Sequence, residues 1–433
     1  MKNTILLLIL IFFTGFGPLF AQQKLTLDLN GARKYALEHN KMLLNSDYAV
    51  DKAQQALREA IANGLPQFNA TLDYSNALGA VISIRFIENM PPSEIPIKPQ
   101  SNFNFNVGQL IFSGNYIVGV QTAKLARDLR QIGREKSELD VLTQATDGYY
   151  LVLVSKQLLE ILRQNVANLQ SLYNKTVVLE RVGIIEKTNL DQLSVQVNAL
   201  KNAVNASERQ LELATNMLRL QLGVSAETEI ELTEKLDDML AAANYETSLV
   251  KSFSVQQNID LRLLSQQEFI GAKMVDMRRA SALPTLSAYY RHTYKLLKPD
   301  FDMSPANVVG LQMSIPLFSS GVRMAQVKQA AIDLKTIQNN KELLSDQLKI
   351  QEKQLRFNYN NAQESFINQK NNIEVSRRVY ESLKFKYEQG LISGLDLIAA
   401  DNNYLRAETD YISAIMQLLS SNLQLNKLYG NLQ

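Results

Sequence analysis

Residues 102–115 read Asn-Phe-Asn-Phe-Asn-Val-Gly-Gln-Leu-Ile-Phe-Ser-Gly-Asn, and within them the chain changes period. Phe103, Phe105, Val107 and Gln109 alternate with Asn102, Asn104, Asn106 and Gly108, giving the apolar and polar faces of a strand. From Asn115 to Val182 no proline interrupts 68 residues rich in Ala, Leu, Gln, Glu, Lys and Asn, so a long helix begins where the alternation stops. At about 1.5 Å per residue such a helix runs roughly 100 Å, far beyond a globular domain.

The same text is written again about 207 residues later. Leu110-Ile111-Phe112-Ser113-Gly114 returns as Leu317-Phe318-Ser319-Ser320-Gly321, Arg181-Val182-Gly183-Ile184 as Glu388-Gln389-Gly390-Leu391, and Leu218–Gly223 as Leu425–Gly430. A duplication on this scale makes the repeat the unit of fold and function. Each copy reads as helix, strand, loop, strand, long helix, tip, helix. The first copy spans 22–223, with strands about 66–75 and 102–112 and a helical hairpin over 115–222. A connector over 224–238 follows. The second copy spans 239–430, with strands about 284–292 and 308–316 and a hairpin over 322–429. Alternation in the outer strands is equally plain, with Phe68, Ala70, Leu72 and Tyr74 in one copy and Val309, Leu311, Met313 and Ile315 in the other. The loops differ. Pro66 to Phe112 covers 46 positions and Pro284 to Phe318 covers 34, and the 12 extra residues coincide with the proline-rich run Met90–Pro99, which marks an exposed loop.

The returning helices carry the clearest periodicity. Leu190, Val197, Val204, Leu211 and Leu218 form a seven-residue series, matched by Leu397, Tyr404, Tyr411, Leu418 and Leu425. A strict heptad seam implies knobs-into-holes packing. Beside it, one residue on, run Ile398, Leu405, Ile412 and Leu419. Two adjoining seams suit a helix with two neighbours, as in a wall or closed barrel of helices. Segments of about ten residues with one apolar and one polar face have the pattern of membrane β-barrel strands. Four strands are too few to close a barrel, since the smallest have about eight, so further chains must satisfy the edges.

Composition sets the compartment. Lys2, the apolar run Ile5–Phe13, a stretch with Gly15, Gly17 and Pro18, and then Ala21 read as a secretory signal peptide over 1–21. The run is shorter than the roughly 20 apolar residues a spanning helix needs. Cysteine is absent, which excludes disulfides, thiolate metal sites and cysteine nucleophiles. The balance of 45 basic against 43 acidic residues gives no support to nucleic-acid binding, which wants a concentrated basic face. These features together suit a protein of the bacterial envelope.

The duplication, the tip glycines and the stretches Leu25-Thr26-Leu27, Ala36-Leu37-Glu38-His39-Asn40 and Leu428-Tyr429-Gly430 together resemble the TolC-like outer-membrane efflux protein family. The resemblance covers essentially the whole mature chain. It implies a homotrimer in which four strands per subunit close a twelve-stranded barrel in outer-membrane lipid, continued by a helical barrel in the periplasm. It also implies partners, an inner-membrane transporter and a periplasmic adaptor, with the tips at Gly183, Gly390 and Gly394 as adaptor contacts. Drugs, metals and secreted proteins all stay open as cargo. In the family, acidic residues ring the closed entrance. Asp396 falls on the first ring position, Ala399 occupies the second, and Asp401 can stand in for it only with a differently tilted tip. Three Asp396 carboxylates around a threefold axis would favour cations. As an alternative role, Asp396 flanks the start of the last helix, where a negative charge is favourable. Tyr387 matches a tyrosine that ties the two hairpins together, and Asn189 stands opposite Asp396 in the first tip.

The sequence offers little for catalysis, metals or cofactors. His39 and His292 have no matching partners for a triad or metal site, and no GxxxxGK[ST] cradle occurs. Met274 and Met277, one turn apart, read as core fillers before they read as a soft-metal stop. Asp237-Asp238 lies in the polar connector and reads as solvated surface. The expected function is a passive export channel, and the competing one is a soluble periplasmic coiled-coil scaffold or adaptor.

Overall fold

The structure, a computed structural model, describes residues 24–85, 91–236, 239–240, 253–298 and 304–432. The expected signal peptide and the pair Asp237-Asp238 lie outside the described residues. In chain order the elements are β1 (Lys24–Leu27), α1 (Leu29–His39), α2 (Lys41–Ala62), β2 (Gln67–Ser75), β3 (Val81–Ile84), β4 (Ser93–Pro96), β5 (Gln100–Ser113), α3 (Gly114–Arg181) and α4 (Lys187–Leu222). There follow β6 (Glu229–Leu232), a short 3-10 turn, α5 (Ile259–Ala280), β7 (Thr285–Leu297), β8 (Asn307–Ser314), α6 (Val322–Glu388) and α7 (Gly394–Tyr429).

The duplication is visible in lengths. Helices α2 and α5 have 22 residues each, α3 and α6 have 68 and 67, and α4 and α7 have 36 each. The offset is not uniform. From Lys187 to Gly394 it is 394 − 187 = 207, but from Gln67 to Thr285 it is 285 − 67 = 218, because the strand loop of the first copy is longer. Each copy begins its first 22-residue helix after an asparagine whose amide donates to a carbonyl at the end of the copy's last helix. Asn40 Nδ2 reaches Gln221 O at 2.7 Å and Asn258 Nδ2 reaches Leu428 O at 3.2 Å.

The chain divides into two compact units, residues 1–46, 134–259 and 345–433, and residues 47–133 and 260–344. The second unit holds an antiparallel sheet in the order β2-β5-β7-β8. Register aligns its faces: Phe68, Val107, Tyr290 and Val309 lie side by side, as do Leu72, Phe103 and Tyr294. One face is therefore apolar across all four strands. It is also uncovered, for Phe68, Leu72, Tyr74, Phe103, Phe105, Tyr290, Tyr294, Val309, Leu311 and Met313 are 37–81% exposed. The opposite face carries Asn69, Asn106 and Arg291 at one level and Thr71, Asn104 and Thr293 at the next. Strands β2 and β8 are the edges of this sheet. A small antiparallel pair, β3 with β4, occupies the long loop of the first copy.

In the first unit helices pack on helices. The main core joins Ala32 and Ala36 of α1, Val141, Tyr149 and Leu153 of α3, Leu218 and Leu222 of α4, and Ile412, Ile415 and Leu419 of α7. The two seams of α7 face different neighbours. Leu418 and Leu425 pack with Tyr359 and Ala362 of α6, whereas Ile398 and Leu405 pack against Leu162, Leu169, Leu193 and Val197 of the first hairpin. Strands β1 and β6 pair in parallel, Lys24 opposite Glu229 and Leu27 opposite Leu232. Asp28 Oδ1 caps α1 by accepting from Gly31 N at 2.7 Å, and Glu234 Oε2 accepts from Leu29 N and from Tyr149 Oη, both at 2.9 Å.

Candidate functional site at the hairpin tips

Both hairpins turn through the same device. Helix α3 ends with Gly183 N donating to Glu180 O at 2.8 Å and Ile184 N to Leu179 O at 2.9 Å, and α6 ends with Gly390 N to Tyr387 O and Leu391 N to Lys386 O, both at 2.9 Å. These are Schellman closures, which need a residue in the left-handed region, and the glycines supply it with φ of 77° and 71°. The short turns that follow expose Val182, Ile184, Leu391 and Leu395.

The tips differ where the second helix begins. Ser393 caps α7 and Asp396, its third residue, reciprocates: Asp396 N donates to Ser393 Oγ at 3.2 Å, and Ser393 N and Oγ donate to Asp396 Oδ2 at 3.2 and 2.7 Å. This capping box fixes an acid at the positive end of a helix. Asp396 and Ala399 are both solvent-exposed. In the first tip Glu186 makes no side-chain cap, and Asn189, also the third residue of its helix, is half-buried with its N–H on Glu186 O at 3.1 Å.

Tyr387 reaches across to the first hairpin, its hydroxyl 3.2 Å from Thr176 Oγ1, while Lys175 Nζ lies 3.7 Å from Glu388 Oε1. Further from the tip Gln196 Nε2 donates to Asn402 Oδ1 at 2.6 Å and Asn165 Nδ2 to Glu408 Oε2 at 3.2 Å. Asp401 does not stand at the surface beside Asp396. It is 4% exposed and turned inward among the helices, where the Tyr380 hydroxyl donates to it and Lys384 and Glu408 lie within electrostatic reach. Burial pushes its carboxyl up to about 6, and the Glu408 charge adds to the rise. Glu408 is raised too, by burial, against the hydrogen bonds from Tyr404 and Asn165. The rings of Tyr380 and Tyr404 stack with centroids 5.6 Å apart beside these two acids. Asp401, offered by the sequence as a stand-in ring acid, lies four residues after Leu397 and three before Tyr404, a spacing that could have marked it as inward-facing. Thr176 and Asn165 gave no sequence signal of their own, since each acts only through a partner the fold supplies, whereas Ser393-Gly394-Leu395-Asp396 has the spacing of a capping box and could have been found.

The remaining candidates scatter. His39 stacks on Tyr35 with its Nδ1 3.0 Å from Tyr35 O, and His292 Nδ1 sits 2.7 Å from Asn307 Oδ1 on the sheet. Met274 lines an apolar hollow with Ile270, Gly271 and Ile337.

Residues 254–431, nearly the whole second copy, match the family described as outer membrane efflux protein. The chain is 21% identical to the outer membrane protein TolC of Escherichia coli over 447 residues, covering all of this chain and 87% of that protein. The second copy carries the pattern of this efflux family, and over its whole length the chain is similar to TolC. Among solved members of similar fold, the Vibrio cholerae outer membrane protein VceC superposes with a TM-score of 0.74 at 15% identity, covering 93% of this chain and 96% of that one. The Neisseria gonorrhoeae outer membrane channel MtrE, solved in an open state, gives 0.75 at 14% identity over 94% and 89%. The family match rests on the second copy, and the first copy repeats its elements with matching helix lengths, so the family fold accounts for both.

Proposed function

We propose that three copies of this chain close a twelve-stranded barrel in the outer membrane and form the exit duct of a tripartite efflux or type I secretion machine. The observation that carries this is the four-stranded sheet, apolar and uncovered on one face, polar on the other and, among the described residues, unpaired at both edges. An apolar face of that extent needs lipid or protein over it, and sheet edges at membrane depth need partners. A soluble scaffold would leave both in water. The helical hairpins continue the duct into the periplasm, and their tips, with exposed Val182, Ile184, Leu391 and Leu395 around Gly183, Gly390 and Gly394, meet the adaptor. The duct is passive and catalyses nothing: the inner-membrane transporter supplies the driving force, and cargo is selected mainly by the transporter and adaptor.

The entrance closes by coiling of the second hairpin, with Asp396 as its ring acid. Asn189 stands at the matching place in the first hairpin, Tyr387 on Thr176 ties the two together, and Asp401 and Glu408 lie between helices that opening must disturb. Single-channel conductance of Asp396→Ala and Ser393→Ala tests the assignment. Asp396→Ala keeps the Ser393 cap on the residue 396 N–H, removes the reciprocal half of the box together with the charge, and should raise conductance or lower cation preference. Ser393→Ala removes the cap and keeps the charge, so it should retain cation preference while loosening the helix start by about 1 kcal/mol. Wild-type conductance and selectivity in Asp396→Ala would sink the gating role.

A further inference from the structure

The polar face of the sheet borders an open concavity of about 950 Å³, and among the described residues that line it Arg291 alone carries a charge. Register sets Arg291 beside Asn106 in the middle of the face, and its Nε donates to Asn106 Oδ1 at 2.9 Å. That acceptor is a neutral amide, so the guanidinium charge is fixed in place and not cancelled. Two levels away Asp73, Asn102 and Lys295 share a row, one acid against one base. Asp73 is held there by Asn104 Nδ2 at 2.7 Å. Counting the charged residues of these rows, Arg291 and Lys295 against Asp73 leave one surplus positive charge per chain. Next to Arg291, one level along β7, the Tyr289 ring lies across Gly310, where an added Cβ would come within 2.7 Å of it.

We infer that the barrel carries an anion-preferring section formed by Arg291, in series with the acidic entrance at Asp396. This rests on the duct reading, which turns the polar face inward and repeats it three times. A guanidinium is permanently charged and presents a planar fork that matches carboxylate and phosphate groups, and the neighbouring phenol ring offers a flat surface to an apolar body. The cargo class it fits is the organic anion whose carboxylate or phosphate sits beside an aromatic or aliphatic body.

The test is the reversal potential of detergent-extracted, full-length protein in planar bilayers across a tenfold potassium chloride gradient. The gradient runs from about 0.01 M, where the screening length is about 30 Å. Arg291→Gln should lower the chloride-to-potassium permeability ratio by about twofold or more, Arg291→Lys should keep the wild-type ratio, and about 1 M salt should erase the difference. Asn106→Asp is a second route. It sets a carboxylate against the guanidinium without changing side-chain size, and should lower the ratio as Arg291→Gln does. Conducting Arg291→Gln and Asn106→Asp proteins with the wild-type ratio would overturn the inference and leave the duct standing. Wild-type protein that inserts and never conducts would overturn the duct and this inference with it.

Discussion

Asp401 illustrates what a single residue contributes in this fold. Its carboxyl is raised to about 6 from an ordinary 3.8, first by burial and then by Glu408, so between these values the folded state holds a proton that an opened or unfolded state has released. Folded protein binds more protons in that window, hence its stability is greatest at the acid end and falls as pH rises through about 6. Asp401→Asn removes the titration and keeps an acceptor for Tyr380. It should raise the thermal midpoint at pH 7, by an amount worth at most about 3 kcal/mol, and flatten the change between about pH 4 and pH 6. Glu408, also raised, leaves a residual slope, and Lys384 opposes part of the shift. A variant that keeps the full wild-type slope would contradict this account of Asp401. Sequence could place this residue on the inward stripe. It could not show Tyr380 opposite, which lies 21 positions away (401 − 380) on another helix.

At the scale of elements, the seven-residue seams were the most legible part of the chain. Leu218 and Leu425, 207 positions apart (425 − 218), are both fully buried, each in the core its seam faces. Leu425→Ala should cost about 2–5 kcal/mol and lower the melting temperature of the helical part, as followed by far-ultraviolet circular dichroism, while its exposed neighbour on the same helix, Gln424→Ala, should change it little. Equal melting of the two variants would mean that the seam does not hold α7. The short strands were not legible. β1 and β6 have four residues each, too few to show alternation, and their parallel pairing joins residues 205 apart (229 − 24). The β3 with β4 pair sits in a loop whose prolines argued only for exposure. The offset of about 207 holds from the long helices onward and becomes 218 before the strands, as the longer first loop read from the sequence requires.

On the scale of the whole molecule, the sequence shows a sheet that cannot be complete. Alternation gave the two faces, and the count of four strands required other chains, because no edge can be left open toward lipid. The number three is not written in any residue of this chain; it is what the family resemblance implies and what we propose. The tips were legible as tips through Gly183 and Gly390, while the contacts that tie them, Thr176 to Tyr387 and Asn165 to Glu408, depend on packing of helices more than 200 positions apart. The measurement that tests the central claim most directly is planar-bilayer conductance of detergent-extracted particles whose mass has been determined. The account predicts discrete steps from particles of three chains. Protein that stays soluble without detergent, has another mass and never conducts would contradict it.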